Sequence, residues 1–199
     1  MLLRAITNVF LGDGHFWKHP ESKNYNLIWT SINKDWLEWK KEHLLGDHPG
    51  TIAMVRKANA PNAYANSKPL YQLKSYVHPK ITQAKLEMTR ADALRNCDML
   101  DYAIWYIDDG CCVTRRDGRD KAFNGYRVSI GVGGLLADEI FPQAQEVFGT
   151  KKLGRVYKNN SRASERNLSW IIPKPVAIQI LREARKIAPE SLLYKTPVW

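Results

Sequence analysis

No stretch of this chain stays apolar for the ~20 residues that a membrane-spanning helix needs, so a bilayer-crossing role is excluded. Cysteine is scarce: Cys97, Cys111 and Cys112 are all there is. Three thiols make no secreted disulfide framework and show no Cys-x-x-Cys zinc spacing, so a reducing compartment is expected. His15 and His19 share a strand face, but no further His or Cys at suitable spacing completes a zinc site. No signal peptide is visible, and the expectation is a soluble intracellular protein, of a prokaryotic or phage-host cytoplasm or of an organelle, and not a secreted one. Acidic side chains are also in deficit, with 20 Asp and Glu against 30 Lys and Arg and a net charge of +10. The excess is no tail, because bases outnumber acids on both sides of residue 97. Such a balance points to a polyanionic partner, met by both halves.

What is present argues for a packed core. Hydrophobic residues make up 44% of 199, with seven Trp, enough for one good core or two small fused ones. The chain is organised around Leu100-Asp101-Tyr102-Ala103-Ile104-Trp105-Tyr106-Ile107-Asp108-Asp109-Gly110. This reads as a buried helix, capped at its start by Asp98 with Asp101 three residues on, and stopped by Gly110. Two carboxylates in its last turn face the negative end of the helix dipole, an unfavourable placement that a metal or another cation would reverse. A second copy, Ile6-Thr7-Asn8-Val9-Phe10-Leu11-Gly12-Asp13-Gly14, stands at the front of the chain. It too is an apolar run ending in Asp-Gly.

Each copy opens the same order of elements. The first helix covers residues 2–12, followed by strands at 15–19 and 25–31. A helix capped by Asn33 carries Trp36, Leu37, Trp39, Leu44 and Leu45 to a stop at Gly46, and strands follow at 50–57 and 70–77. A charged helical connection spans 80–95. After the second motif come strands at 111–115 and 126–132, a helix at 137–148 closed by Gly149, strands at 152–157 and 167–172, and a helix at 175–188. Both halves read helix–strand–strand–helix–strand–strand–helix. Within the strands, Lys68, Gln72 and Lys74 alternate with Tyr71, Leu73 and Ser75, and Arg127 and Ser129 alternate with Tyr126, Val128 and Ile130. That is one core face and one polar, basic face. Gly131-Val132-Gly133-Gly134 lacks the full phosphate-loop fingerprint and reads as a turn.

With its two motifs, Leu11-Gly12-Asp13-Gly14-His15 and Ala103-Ile104-Trp105-Tyr106-Ile107-Asp108-Asp109-Gly110, the sequence resembles the single-chain, two-motif LAGLIDADG homing endonucleases. The resemblance implies an α+β fold of two pseudo-symmetric αββαββα half-domains, 1–97 and 98–199. They would pack through their motif helices, and their antiparallel sheets would form a DNA-binding saddle. Thr7, Gly12 and Ala103 are small enough for such packing; Asn8, Ile104 and Asp108 are bulkier. It further implies a monomer that hydrolyses one phosphodiester on each DNA strand, giving a staggered break. Mg²⁺, with Mn²⁺ able to substitute, would be held by Asp13 and Asp109 and by the backbone carbonyls of Gly12 and Asp108. The ending Leu193-Tyr194-Lys195-Thr196-Pro197 looks like the family's closing Tyr-Lys-x-Pro. Lys195 is thereby the basic catalytic candidate of the second half, and Lys85 that of the first.

On that reading, face and residue type select base-reading candidates: Asn26, Gln72, Lys74, Arg115, Arg119, Arg127, Ser129, Arg155 and Asn167. Lys151, Lys152, Lys158 and Arg162 look more like phosphate contacts. The expected role is mobility of an intron, intein or free-standing gene. Two rivals use the same basic surface: an RNA-binding maturase acting on its host intron, and a DNA-binding protein that has lost cleavage. Retention of both Asp speaks against the second, since a pure binder gains nothing from carboxylates facing phosphates.

Overall fold

The computed structural model describes residues 1–58, 67–114, 126–158 and 168–197. The chain divides into two compact units, Met1–Thr89 and Arg90–Trp199. In the first, helix α1 (Leu2–Leu11) leads into strands β1 (Gly14–Trp17) and β2 (Asn26–Ser31). Helix α2 (Lys34–Lys40) follows and ends in a wider π turn, Lys41–Leu45; then come β3 (Gly50–Arg56), β4 (Leu70–Ser75) and α3 (Pro79–Glu87). The second unit begins with the short α4 (Arg90–Leu94) and continues with α5 (Met99–Asp109), β5 (Gly110–Thr114) and β6 (Tyr126–Gly133). Helix α6 (Ala137–Phe148), β7 (Arg155–Lys158), β8 (Leu168–Ile172) and α7 (Lys174–Ile187) complete it, with a 3-10 turn at Glu190–Lys195.

Each unit holds one antiparallel four-stranded sheet, ordered β1-β2-β4-β3 and β5-β6-β8-β7. The second strand of every hairpin therefore lies inside, and the inner strands carry the apolar runs. On β2 and β4, Trp29 pairs with Leu73, and neither is exposed to solvent. On β6 and β8, Ile130 pairs with Trp170, equally buried. Both indoles also find a polar partner, as buried tryptophans usually do. Trp29 Nε1 donates to Asn8 Oδ1 of α1 at 2.8 Å, and Trp170 Nε1 donates to the Leu153 carbonyl at 2.6 Å. Asn8, bulky for a motif helix, thus ties that helix to its sheet. Truncating either indole to alanine would cost about 3–5 kcal/mol.

The elements fall close to the order and spans that the sequence pattern predicts, and the fold is α+β as expected. Three differences have physical causes. The helical connection at 80–95 is two helices, because Met88 takes an extended conformation and caps α3. The second of them, α4, buries Ala93 and Leu94 and packs on α6. Strand β7 starts at Arg155 because Gly154 precedes it with φ +85°, a left-handed turn that breaks the strand geometry. The glycines at 131 and 133 belong to β6, whose register to β8 slips between them, and the turn follows at Gly134. Among the described residues no helix is long and apolar enough to cross a membrane.

The two motif glycines serve by their lack of a side chain rather than by a left-handed backbone. Gly110 has φ −81° and ψ 151°, an extended conformation open to any residue. A β-carbon there would collide with the Tyr106 carbonyl and ring. At Gly14 it would stand 2.6 Å from Val9 Cγ2 and 2.8 Å from Trp29 Nε1. Gly110→Ala is therefore expected to cost about 1–3 kcal/mol of stability by overpacking. Urea unfolding of the two proteins side by side measures it, and a loss under 0.5 kcal/mol, roughly the level of a neutral surface change, would contradict the steric reading.

Candidate active site and nucleic-acid interface

Helix α5 is set at both ends. At its start Asp98 Oδ1 accepts from the Asp101 amide and Asp101 Oδ2 accepts from the Asp98 amide, both at 3.0 Å, a reciprocal capping box. At its end stand Asp108 and Asp109, each half-buried. The cation that this end requires is present in the chain itself. Lys195 Nζ donates to the carbonyls of Ile107 at 2.7 Å and Asp108 at 3.2 Å. A cation so placed against a helix C-terminus is worth about 0.3–1 kcal/mol when exposed and up to ~2 when partly buried. The tail that delivers it is strapped down: Tyr106 Oη donates to the Lys195 carbonyl at 2.5 Å, and Arg185 Nη1 to that of Thr196 at 2.7 Å. Burial first, and the Cys112 and Cys111 thiols next, push the Tyr106 phenol far above its ordinary value, which keeps it a donor.

A second cation, Arg90, feels the charge of Asp109. Arg90, half-buried at the start of α4, is pulled below the usual arginine range by burial, while Asp109 and Glu139 act in the opposite sense. Its guanidinium lies against Gly133, where a β-carbon would strike Nη1. Glu139 is itself engaged, its Oε2 accepting from the Leu136 amide at 2.8 Å at the start of α6.

The acidic end of the first unit is built differently. Helix α1 stops at Leu11, with the Gly12 amide donating to the Asn8 carbonyl at 2.8 Å. Asp13 therefore sits beyond the helix, exposed in the bend that leads to β1, whereas Asp109 is the last residue of its own. The cause is local: glycine is costlier in a helix than aspartate, so α1 unwinds at Gly12 where α5 runs on through Asp108. Lys85, exposed on the last turn of α3, extends its ammonium over the Phe16 ring, 5.5 Å from the centroid. It thereby reaches the strand that leaves Asp13.

Among the described residues no three His, Cys, Asp or Glu gather into a protein-only metal cage. Carboxylate oxygens, such as those of Asp13 in the first unit and of Asp108 and Asp109 in the second, are donors of the kind a hard divalent cation takes one or two at a time, with water and phosphate in its other positions. At the Asp108 carbonyl, which the resemblance assigns to a metal, the ammonium of Lys195 stands.

The sheet faces turned away from the buried indoles mix polar and apolar side chains. In the first unit the pairs Trp17–Asn26, His15–Ile28, Ile28–Lys74, Thr30–Gln72 and Thr51–Lys74 share that outer face. Lys74 Nζ lies 3.9 Å from the centroid of the Trp17 ring. Asn26 is 2% exposed, and among the described residues its Oδ1 has no hydrogen-bond partner. An acceptor left unmade in such a place costs about 1–3 kcal/mol. In the second unit Cys111, Ser129, Ile171 and Arg155 form a cross-strand row, with Arg127 and Val113 alongside. Arg127 stacks over Tyr157, 4.8 Å from its centroid, and its Nη2 donates to the phenol oxygen.

No family model matches the chain, and no curated protein sequence matches it. Solved structures do. The homing endonuclease I-WcaI, in a complex described as bound to its DNA recognition sequence, superposes with a TM-score of 0.66 at 15% identity, over 100% of this chain and 86% of that one. I-SmaMI, described as bound to an uncleaved DNA target in the presence of calcium ions, gives 0.52 at 10% identity, over 96% and 87%. This chain has the homing-endonuclease fold.

That is the fold which the two Asp-Gly motifs imply. Within the homing-endonuclease fold, Lys195 is brought to the end of α5, and Gln72, Lys74, Arg127, Ser129 and Arg155 to the outer faces of the two sheets. Lys151, Lys152 and Lys158 are exposed before and at the end of β7. Asn26 has the outer-face register but is covered. Arg115, Arg119, Arg162 and Asn167 lie outside the described residues. The pattern carries a signal for Trp17, which alternates onto the same face as His15. It carries none for Arg90, whose relation to Asp109 and Gly133 exists only once α4, α5 and β6 have met, nor for the Tyr106 strap.

The cysteines behind the second motif divide as strand neighbours do. Cys111 is exposed and Cys112 half-buried, and burial with the Cys111 thiol beside it pushes Cys112 up to about 11. Iodoacetamide labelling followed by peptide mass spectrometry is expected to show Cys112 reacting faster as pH climbs toward that value. A plateau near the ~8.5 of an ordinary thiol would contradict it.

Proposed function

We propose that this chain is a site-specific endonuclease of the LAGLIDADG homing type. It acts as a monomer on a long double-stranded DNA site, with Mg²⁺ or in its place Mn²⁺, and leaves a staggered double-strand break that serves the mobility of an intron, intein or free-standing gene. One observation carries the reading. In each unit an Asp-Gly helix ending feeds directly into the first strand of a four-stranded sheet whose outer face carries Lys, Arg and amide groups. The DNA named in the complexes of I-WcaI and I-SmaMI supports it.

The excess of ten positive charges draws the polyanion and makes binding steeply salt-dependent. Gln72, Lys74, Arg127, Ser129 and Arg155 read base edges from strands, while Lys151, Lys152 and Lys158 hold phosphates. The carboxylates repel a phosphate diester unless a cation intervenes. When bound, a divalent metal supplies that charge and a water acidic enough to attack phosphorus. In each unit the motif's acid, Asp13 in the first and Asp109 in the second, would hold such a metal by its carboxylate. Lys195, already fixed by two carbonyls at the end of α5, sets a positive charge at the acidic end of the second unit, and Lys85 is the corresponding cation within the first. Arg90 steadies the Asp109 side chain.

The test is cleavage of a pool of double-stranded DNA in Mg²⁺ by the parent protein, Asp13→Asn and Asp109→Asn. Discrete cuts by the parent alone are expected, with a loss of 100-fold or more in the variants, about the size of a removed catalytic group, and binding unchanged. Cutting by Asp109→Asn at the parental rate would refute the metal assignment. Tight binding by the parent without cutting, in Mg²⁺ and in Mn²⁺, would refute the enzyme and leave a DNA-binding protein or an RNA-binding maturase.

A further inference from the structure

Asp13 stands exposed beyond the end of its helix, and so lacks the helical turn that holds Asp109. Yet the residues on either side of it are tied to one place. The Gly12 amide donates to the Asn8 carbonyl at 2.8 Å. On the other side Gly14 pairs with Trp29 across β1 and β2, so closely that a β-carbon on it would stand 2.8 Å from Trp29 Nε1. The Asn8 side chain closes the loop, its Oδ1 accepting from that same Nε1 at 2.8 Å. This bond is made out of water, with Asn8 4% and Trp29 0% exposed. Lys40, itself buried, lays its ammonium 5.9 Å from the centre of the Trp29 ring and 5.3 Å from that of Trp36, which limits the play of the indole.

The second unit does without such a hook. Five residues before Asp109 it has Ile104 where Asn8 stands before Asp13, and opposite Gly110 it has Ile130 where Trp29 stands opposite Gly14. Both isoleucines are buried. There Asp109 is the last residue of α5, and the Gly110 amide beyond it donates to the Tyr106 carbonyl, so the helix itself holds the acid. In the first unit a buried polar bond takes over that task. Placing an amide and an indole N–H in a core costs desolvation that an apolar pair avoids. What the polar pair gains is direction, which an apolar contact lacks. We propose that Asn8 and Trp29 are positioning residues for Asp13: their hydrogen bond fixes the turn from Gly12 to Gly14 and with it the place of the acid. This rests on the endonuclease reading above, in which Asp13 holds the metal. A buried partner one step removed from a ligand is worth about 10- to 100-fold in metal affinity or activity.

The test follows Mn²⁺ as well as cleavage. Mn²⁺ is titrated into the protein on a duplex selected by the parent from a randomised library, and binding is read from the loss of the free-ion electron paramagnetic resonance signal, with the duplex alone as blank. Asn8→Leu, which removes the acceptor, is expected to weaken Mn²⁺ binding by about 10-fold or more. Single-turnover cutting should slow by a like factor, with the affinity for DNA unchanged. Trp29→Phe, which removes the donor and keeps a ring in the core, is expected to do the same and stands in if the first variant fails to fold. Leu45→Ala opens a cavity beside Gly50 at the start of β3. It should lose stability and leave Mn²⁺ binding alone, which separates positioning from folding. In an Asp13→Asn background, Asn8→Leu should cost nothing further, because the hook acts through that acid. Parental Mn²⁺ affinity in both hook variants, an equal loss in Leu45→Ala, or a full further loss in the Asp13→Asn background overturns the hook while the endonuclease reading stands. A parent that neither binds Mn²⁺ nor cuts DNA overturns both.

Discussion

At both acidic helix ends the chain turns from helix to strand so tightly that a β-carbon on the intervening glycine would collide with the helix it has just left. The turn at Gly110 starts β5 one residue after Asp109, and the turn at Gly14 starts β1 one residue after Asp13. A carboxylate is thereby held where a helix stops and a sheet begins. Everything else about each unit leans on that junction. The sheet's register starts from it, the buried indole packs beneath it, and the outer face emerges beside it. A larger residue at either glycine would prise the strand from the helix and move the acid with it.

The electrostatics of the second unit are arranged around the cost of that placement. Asp108 and Asp109 sit at the negative pole of α5, where carboxylates are unwelcome. Lys195 and Arg90 answer them from opposite directions in the chain, one from the strapped tail and one from the helix that opens the unit. Neither arrangement is a cheap surface pair. Lys195 is half-buried and donates to two helix carbonyls, and Arg90 is half-buried against Gly133, as sites of chemistry tend to be positioned. The first unit solves the same problem more loosely, by letting the helix run out at Gly12 and leaving Asp13 exposed.

The outer sheet faces carry polar groups of a different kind. Lys74 and Arg127 each lie on an aromatic ring, Trp17 and Tyr157 respectively. Such contacts keep a long basic side chain ordered while its charge stays near the face. Asn26 is buried on this face, and its Oδ1 has no partner among the described residues.

Much of the fold was written in the sequence, because hydrophobic period and turn chemistry are local. The helix–strand order of both units, the Asp98–Asp101 capping box and the left-handed glycine after α6 follow from residues only a few positions apart. So do the alternating faces of β4 and β6, and the two Asp-Gly motifs that imply this fold. Tertiary structure decided what depends on distant groups meeting. It chose Asn8 as the partner of Trp29, split the 80–95 connection so that α4 joined the second unit, and brought Lys195 back to α5. It also set Arg90 against Gly133 and Asp109, and buried Asn26 on the outer face of its sheet. Spacing along the chain says which face a residue occupies. What stands over that face is set by strands and side chains many residues away, whose packing no local pattern encodes.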